Sequence, residues 1–154
     1  MGDCRCKKVS VVRVGERNMI NSSSKKKGDP FLKYKKVVFS EFDFLIKDYG
    51  FQHVSTSVFP PECQIIYRNE VVEITVFYEW GNVPEILISK LKPTSSGLKG
   101  VDQKSLDHFI ISSIPKERFD WNKLKGSIDH KVEAKLHRDA WVLRRYANKI
   151  LCGK

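Results

Sequence analysis

The chain has 154 residues, 41% hydrophobic and 30% charged, and its 28 Lys and Arg against 18 Asp and Glu give a net charge of +10. That length suits one domain able to bury a core without disulfides or a structural metal. Four scattered cysteines, Cys4, Cys6, Cys63 and Cys152, lack the dense spacing of a secreted disulfide scaffold, no signal-type apolar stretch follows the N-terminus, and no apolar run nears the roughly 18 residues that cross a bilayer. A soluble, cytoplasmic protein without membrane partners is therefore expected.

Residues 1–29 read as a basic, flexible tail, and 30–154 as a single domain. Met1 to Pro30 holds eight basic and three acidic residues and ends in the Ser-, Lys- and Gly-rich run Asn21 to Asp29, too polar to bury anything. Val9 to Val14 within it has strand character and stays unassigned. Cys4 and Cys6 form a Cys-x-Cys pair, but a structural zinc needs four ligands and no second pair follows, so no metal or cofactor is expected.

Asp29-Pro30 opens a helix, because an aspartate can accept hydrogen bonds from free amides and a proline at the first helical position loses nothing by lacking its N–H. The helix is predicted to run to about Tyr49, with Phe31, Tyr34, Val38, Phe42, Leu45 and Tyr49 on one face and Gly50 ending it in the left-handed conformation. From Phe51 the apolar period becomes two. Strands are predicted near 51–58, 63–68, 70–80 and 83–91, separated by Pro60-Pro61, Arg68-Asn69-Glu70 and Gly81-Asn82, turn-prone groups that favour consecutive hairpins. Residues 92–100 read as a polar loop. Leu106, Phe109 and Ile110 suggest a short helix stopped by Pro115, and 127–151 a final helix with Val132, Leu136, Ala140, Leu143, Ala147 and Ile150 in one apolar stripe. The fold class is α+β: an N-terminal helix, a four-stranded antiparallel meander, then a short and a long C-terminal helix packed on one sheet face.

The segment 51–91 is acidic within a basic protein, with Glu62, Glu70, Glu73, Glu79 and Glu85 opposed by Arg68 and Lys90. Alternation puts Glu73, Phe77 and Glu79 on the sheet face opposite Val72, Ile74 and Val76. A mixed acidic and aromatic surface of this kind suits a protein partner, so these three form the candidate binding site. The alternative is nucleic-acid binding by the basic tail and by a stripe of Lys131, Lys135, Arg138, Arg145 and Lys149 on the last helix, since such a row can neutralise phosphates. Its long side chains equally suit a solvated face shielding apolar neighbours. Asp139 falls inside the apolar stripe of that helix, where an ionised carboxylate needs a partner such as Lys135. His130, Glu133 and His137 share a side at steps of three and four, an ordinary arrangement on a solvated helix and a poor cation site beside Arg144. No phosphate loop, catalytic triad order, nucleophile elbow or paired zinc motif is found, so an enzyme is not expected and no residue is assigned a catalytic role.

Three stretches, FDFLIKDYGF from Phe42, IIYRNEVVEITVFYEW from Ile65 and RRYANKILCG from Arg144, resemble a loose class of small, uncharacterised bacterial α+β proteins. These share a helix ending in "yGF", a strand meander and a closing helix, and some look like immunity proteins that protect a cell from its own or a neighbour's toxin. The resemblance implies a non-enzymatic, protein-binding role with a toxin as partner. The positive net charge departs from an acidic mimic of nucleic acid, which speaks against a nuclease-blocking version.

Overall fold

A computed structural model of the chain describes residues 28–113, 128–146 and 150–151. The predicted basic tail up to Lys27, Pro115, Lys149, Cys4, Cys6 and Cys152 lie outside them. The expected helix start at Asp29-Pro30 is a turn before the helix, which begins at Leu32 with Phe31 as N-cap: the Asp29 Oδ1 accepts the Phe31 N–H at 2.9 Å and its carbonyl accepts the Leu32 N–H at 3.1 Å. The carboxylate also pairs with Lys35. The hydrogen bonds from Lys35 and then from the Phe31 amide hold the Asp29 carboxyl below its ordinary range.

The single predicted helix is two, α1 (Leu32–Glu41) and α2 (Asp43–Tyr49), divided at Phe42 with φ −101° and ψ 7°. Hydrogen bonding continues on both sides of the break: Phe42 N–H still reaches the Val38 carbonyl and Leu45 N–H closes a three-residue turn onto the Phe42 carbonyl, each at 3.0 Å. Its consequence is burial. A straight helix would carry Phe42 and Leu45 inward and Phe44 off to one side, whereas here all three are buried. Gly50 then takes φ +68° and the Phe51 N–H donates to the Leu45 carbonyl at 3.0 Å, closing α2. A Cβ at Gly50 meets nothing, so the penalty for a side chain there is conformational alone. Gly50→Ala should destabilise by about 1 kcal/mol in chemical denaturation, and no change would show that the left-handed cap is dispensable.

Five antiparallel strands follow in sequential order: β1 (Gln52–Phe59), β2 (Glu62–Arg68), β3 (Val72–Glu79), β4 (Glu85–Thr94) and β5 (Gly97–Ser105). The predicted polar loop over 92–100 is thus corrected to the tip of a hairpin. Thr94 pairs with Gly97 across Ser95-Ser96, Gly97 adopts φ +125°, and the Thr94 hydroxyl donates to the Gly97 carbonyl at 2.7 Å. Its strand character was hidden because Lys92 to Gly100 are exposed throughout, so no apolar alternation marks them.

The inward sheet face carries Cys63, Ile65, Tyr67, Val72, Ile74, Val76, Tyr78 and Ile86. These join Tyr34, Val38, Leu106 of α3 (Leu106–Ser113), and Val132, Leu136, Ala140 and Leu143 of α4 (Ile128–Arg145) in one core. Each large aliphatic or aromatic side chain so buried contributes roughly 1.5–3 kcal/mol. Phe31 and Tyr34 seat α1 on β3: Phe31 meets Tyr78 edge-on at 6.1 Å and the Tyr34 hydroxyl donates to the Val76 carbonyl at 3.3 Å. Burial pushes the Tyr34 hydroxyl far above its ordinary pKa and raises the Cys63 thiol to about 11, so Cys63 is a small buried hydrophobe rather than a nucleophile. Among the described residues no helix is long and apolar enough to cross a membrane.

Candidate protein-binding surface

Alternation along β2, β3 and β4 sends Gln64, Ile66 and Arg68, then Glu73, Thr75, Phe77 and Glu79, then Glu85, Leu87 and Ser89 to the outward face, in rows set by the register. Arg68 lies opposite Glu73, Gln64 opposite Phe77, and Phe77 opposite Glu85. The three predicted site residues therefore share this face, but their environments differ. Glu73 receives the Arg68 guanidinium through Nε at 2.9 Å and through Nη2, and its side chain keeps only 16% of its exposure. A half-buried pair of this kind, with both Arg68 donors on the single oxygen Oε2, is a neutral element of the sheet. Phe77 is half-buried between its cross-strand neighbours. Glu79 accepts a hydrogen bond from the Asn82 side chain at 2.7 Å, within the turn that leaves β3.

The register shows what residue order alone did not. Glu62 at the start of β2 pairs across the strands with Glu79 at the end of β3, and with Phe59 at the end of β1. Phe59 is 75% exposed, the highest value for a large hydrophobic residue among the described residues. The next row holds Phe77 and Glu85, so this end of the sheet gathers three carboxylates and two phenyl rings on one face. Like charges directly opposite each other in an antiparallel pair destabilise it by a few tenths of a kcal/mol to about 1 kcal/mol. Phe59, Glu62 and Glu85 were missed in the sequence because they sit beside turns, where pairing depends on turn length. The signal was the two-residue Pro60-Pro61 connection, which puts residue 59 against 62.

The alternative site on α4 does not hold together as one row. Lys135 is 1% exposed and faces inward, where its Nζ pairs with Asp139 and, at 3.1 Å, with Asp107. Arg138 donates through Nη1 to Asp107 and to Asp139, each at 2.6 Å. The expectation of a solvated basic stripe is corrected for these two residues: the angular position of Lys135 lies over the core, and only a counter-charge makes burial of its ammonium tolerable. Lys131 and Arg145 are exposed, with Arg145 lying over the Trp141 ring at 5.1 Å and the Tyr146 ring at 5.8 Å. Glu133 and His137 turn toward α1, meeting Lys33 at 2.9 Å and Glu41 at 3.2 Å.

Asp139, the oddest residue of that helix, thus has its partners in Lys135 and Arg138. Burial pushes its carboxyl above the ordinary range against the pull of both cations. For the more open Asp107, burial acts in the same direction but Lys135 and Arg138 outweigh it, and the carboxyl lies below the ordinary range. Among the described residues, two cations and two carboxylates meet in this cluster. Among the described residues no group of three or more His, Cys, Asp or Glu could hold a metal ion. A shallow cleft between α1, α4 and the end of β3, lined by Tyr34, Val37, Trp80 and Val132 among others, has a volume of about 160 Å³, below the roughly 300–1,000 Å³ of small-molecule sites.

Comparison with family models, with curated proteins and with solved structures found no match to the chain.

Proposed function

We propose that the chain is a non-enzymatic, protein-binding domain of the immunity type, which holds a cationic protein such as a toxin against the acidic end of its sheet. The observation that carries this reading is the Glu62–Glu79 row beside the exposed ring of Phe59, with Phe77 and Glu85 in the next row. Local arrangements that work against stability concentrate at functional sites. Two opposed carboxylates are relieved by a partner's Lys or Arg, and an exposed phenyl ring beside them supplies an anchor of the kind that dominates interface energetics. Glu73, already neutralised by Arg68, serves the sheet in this reading, while Phe77 and Glu79 stay in the site.

The test starts from the protein that co-elutes with the chain in its native host. Titration calorimetry of that purified partner should show Phe59→Ala and Glu62→Lys each weakening binding at least tenfold, equivalent to about 1.4 kcal/mol. Glu73→Gln should leave affinity within about twofold. Unchanged affinity for the first two variants would overturn the site, and turnover of a small-molecule substrate by the purified chain would overturn the class.

A further inference from the structure

We propose that the β4–β5 hairpin is a cationic arm that binds the sugar-phosphate backbone of a nucleic-acid duplex, a surface separate from the acidic end of the sheet. Lys90 and Lys92 are two apart on β4 and share a face. Lys92 lies directly opposite Lys99 of β5, and Lys104 lies opposite Ile88 on that same face. All four lysines are exposed, and none of them pairs with a carboxylate among the described residues. The opposed Lys92 and Lys99 repel each other, which makes them the basic counterpart of the Glu62–Glu79 row. From Glu85 to Lys92 β4 rises roughly 23 Å at about 3.3 Å per residue, well beyond the screening length of about 8 Å at physiological salt. The two ends of the sheet therefore do not neutralise each other, and each needs its own counter-charge.

The shape of the arm selects the partner. Lys92 to Gly100 are exposed on both faces of the ribbon, so two strands stand clear of the core. A two-stranded ribbon is one of the elements that a duplex groove admits. Residues 85–105 contain no aromatic residue on which unpaired bases could stack, which disfavours single strands. What remains is phosphate neutralisation by four point charges.

The full chain is titrated against a fluorescein-labelled 20-base-pair duplex of random sequence by anisotropy, from 50 to 200 mM salt. Four phosphate contacts add about 3.6 to the steepness of log K against log salt. The quadruple variant Lys90→Gln, Lys92→Gln, Lys99→Gln and Lys104→Gln should accordingly flatten the slope by about that amount and weaken binding at low salt on the order of a hundredfold. A charge-matched variant outside both the arm and the α4 stripe, Lys33→Gln, Lys36→Gln, Lys47→Gln and Arg144→Gln, all exposed, should lose at least tenfold less. Equal losses in the two variants would reduce the effect to net charge, and no binding by the unaltered chain at 50 mM salt would remove it; either result overturns the arm. Acylation footprinting of the unaltered chain by mass spectrometry gives a readout independent of variant folding, in which the duplex must protect Lys92 and Lys99.

Discussion

Replacing Asp139 by alanine should destabilise the protein by about 3–5 kcal/mol, because it leaves the ammonium of Lys135 buried beside a half-exposed Asp107. In thermal unfolding this is a fall in Tm of on the order of 10 °C for a domain of this size. The expectation rests on the location of the charges more than on their attraction. Asp139 is fully buried and Lys135 nearly so, and both were taken out of water at a cost that their mutual contact only offsets. The double variant Lys135→Met, Asp139→Leu removes both charges and restores apolar volume, so it should recover most of the lost stability while Arg138 keeps its contact to Asp107 at 2.6 Å. A single variant within about 1 kcal/mol of the unaltered chain would mean that water reaches the cluster.

The same cluster sets an acid response with two opposing signs. The Asp107 carboxyl lies below its ordinary value near 3.9, so its contribution is present above about pH 4 and is lost as the pH falls through the lower, folded-state value. Asp139 lies above its ordinary value, so its contribution is fully present below about pH 4 and is lost as the pH rises through the raised value. Asp107→Asn removes the first contribution and, as a smaller effect, the Asp107 charge that helps to raise Asp139. Denaturation midpoints of that variant should consequently fall less between pH 5 and pH 3 than those of the unaltered chain, and an equal fall would detach Asp107 from the acid transition.

Phe42→Ala should cost about 3–5 kcal/mol, the other large loss expected from one substitution. The ring is fully buried and stacks near Phe44 at a centroid distance of 6.4 Å, at the one residue that separates α1 from α2. Removing it leaves a cavity at a bend, where the two helices meet through few other contacts and the site cannot easily collapse. Phe42→Leu keeps most of the volume and should lose less than half as much. Chemical denaturation distinguishes the two, and equal losses would show that ring shape, rather than volume, holds the bend.

Much of the fold was legible in the residue pattern. Gly50 as the end of α2, Asp29 in the turn before α1 and the inward set Val72, Ile74, Val76 and Tyr78 follow from local geometry and from a period of two, neither of which needs a distant partner. The site was legible in part. Alternation placed Glu73, Phe77 and Glu79 on one face, but nothing local revealed that Arg68 neutralises Glu73 or that Glu62 and Phe59 complete the acidic row, since both facts depend on cross-strand register. Asp139 was conspicuous as a charge in an apolar stripe, and Lys135, four residues before it, was the natural partner. The second pair, Asp107 and Arg138, spans 31 positions of the chain and is invisible to any helical periodicity.

By itself, then, the sequence determined where backbone conformation is dictated locally: the helix ends, the alternation of β2 and β3, and the excess of positive charge. Tertiary structure alone decided the features whose energy comes from residues far apart in the chain. It made a strand of 97–105, which is exposed on its outer part and is specified by pairing with β4 rather than by its own apolar pattern. It bent the first helix at Phe42 so that three large side chains could be buried, turned Lys135 from a surface cation into a buried one, and set like charges against each other at opposite ends of one sheet. Register is the common physical reason: hydrogen bonding between strands fixes which side chains face each other, and that choice is made over the whole sheet at once.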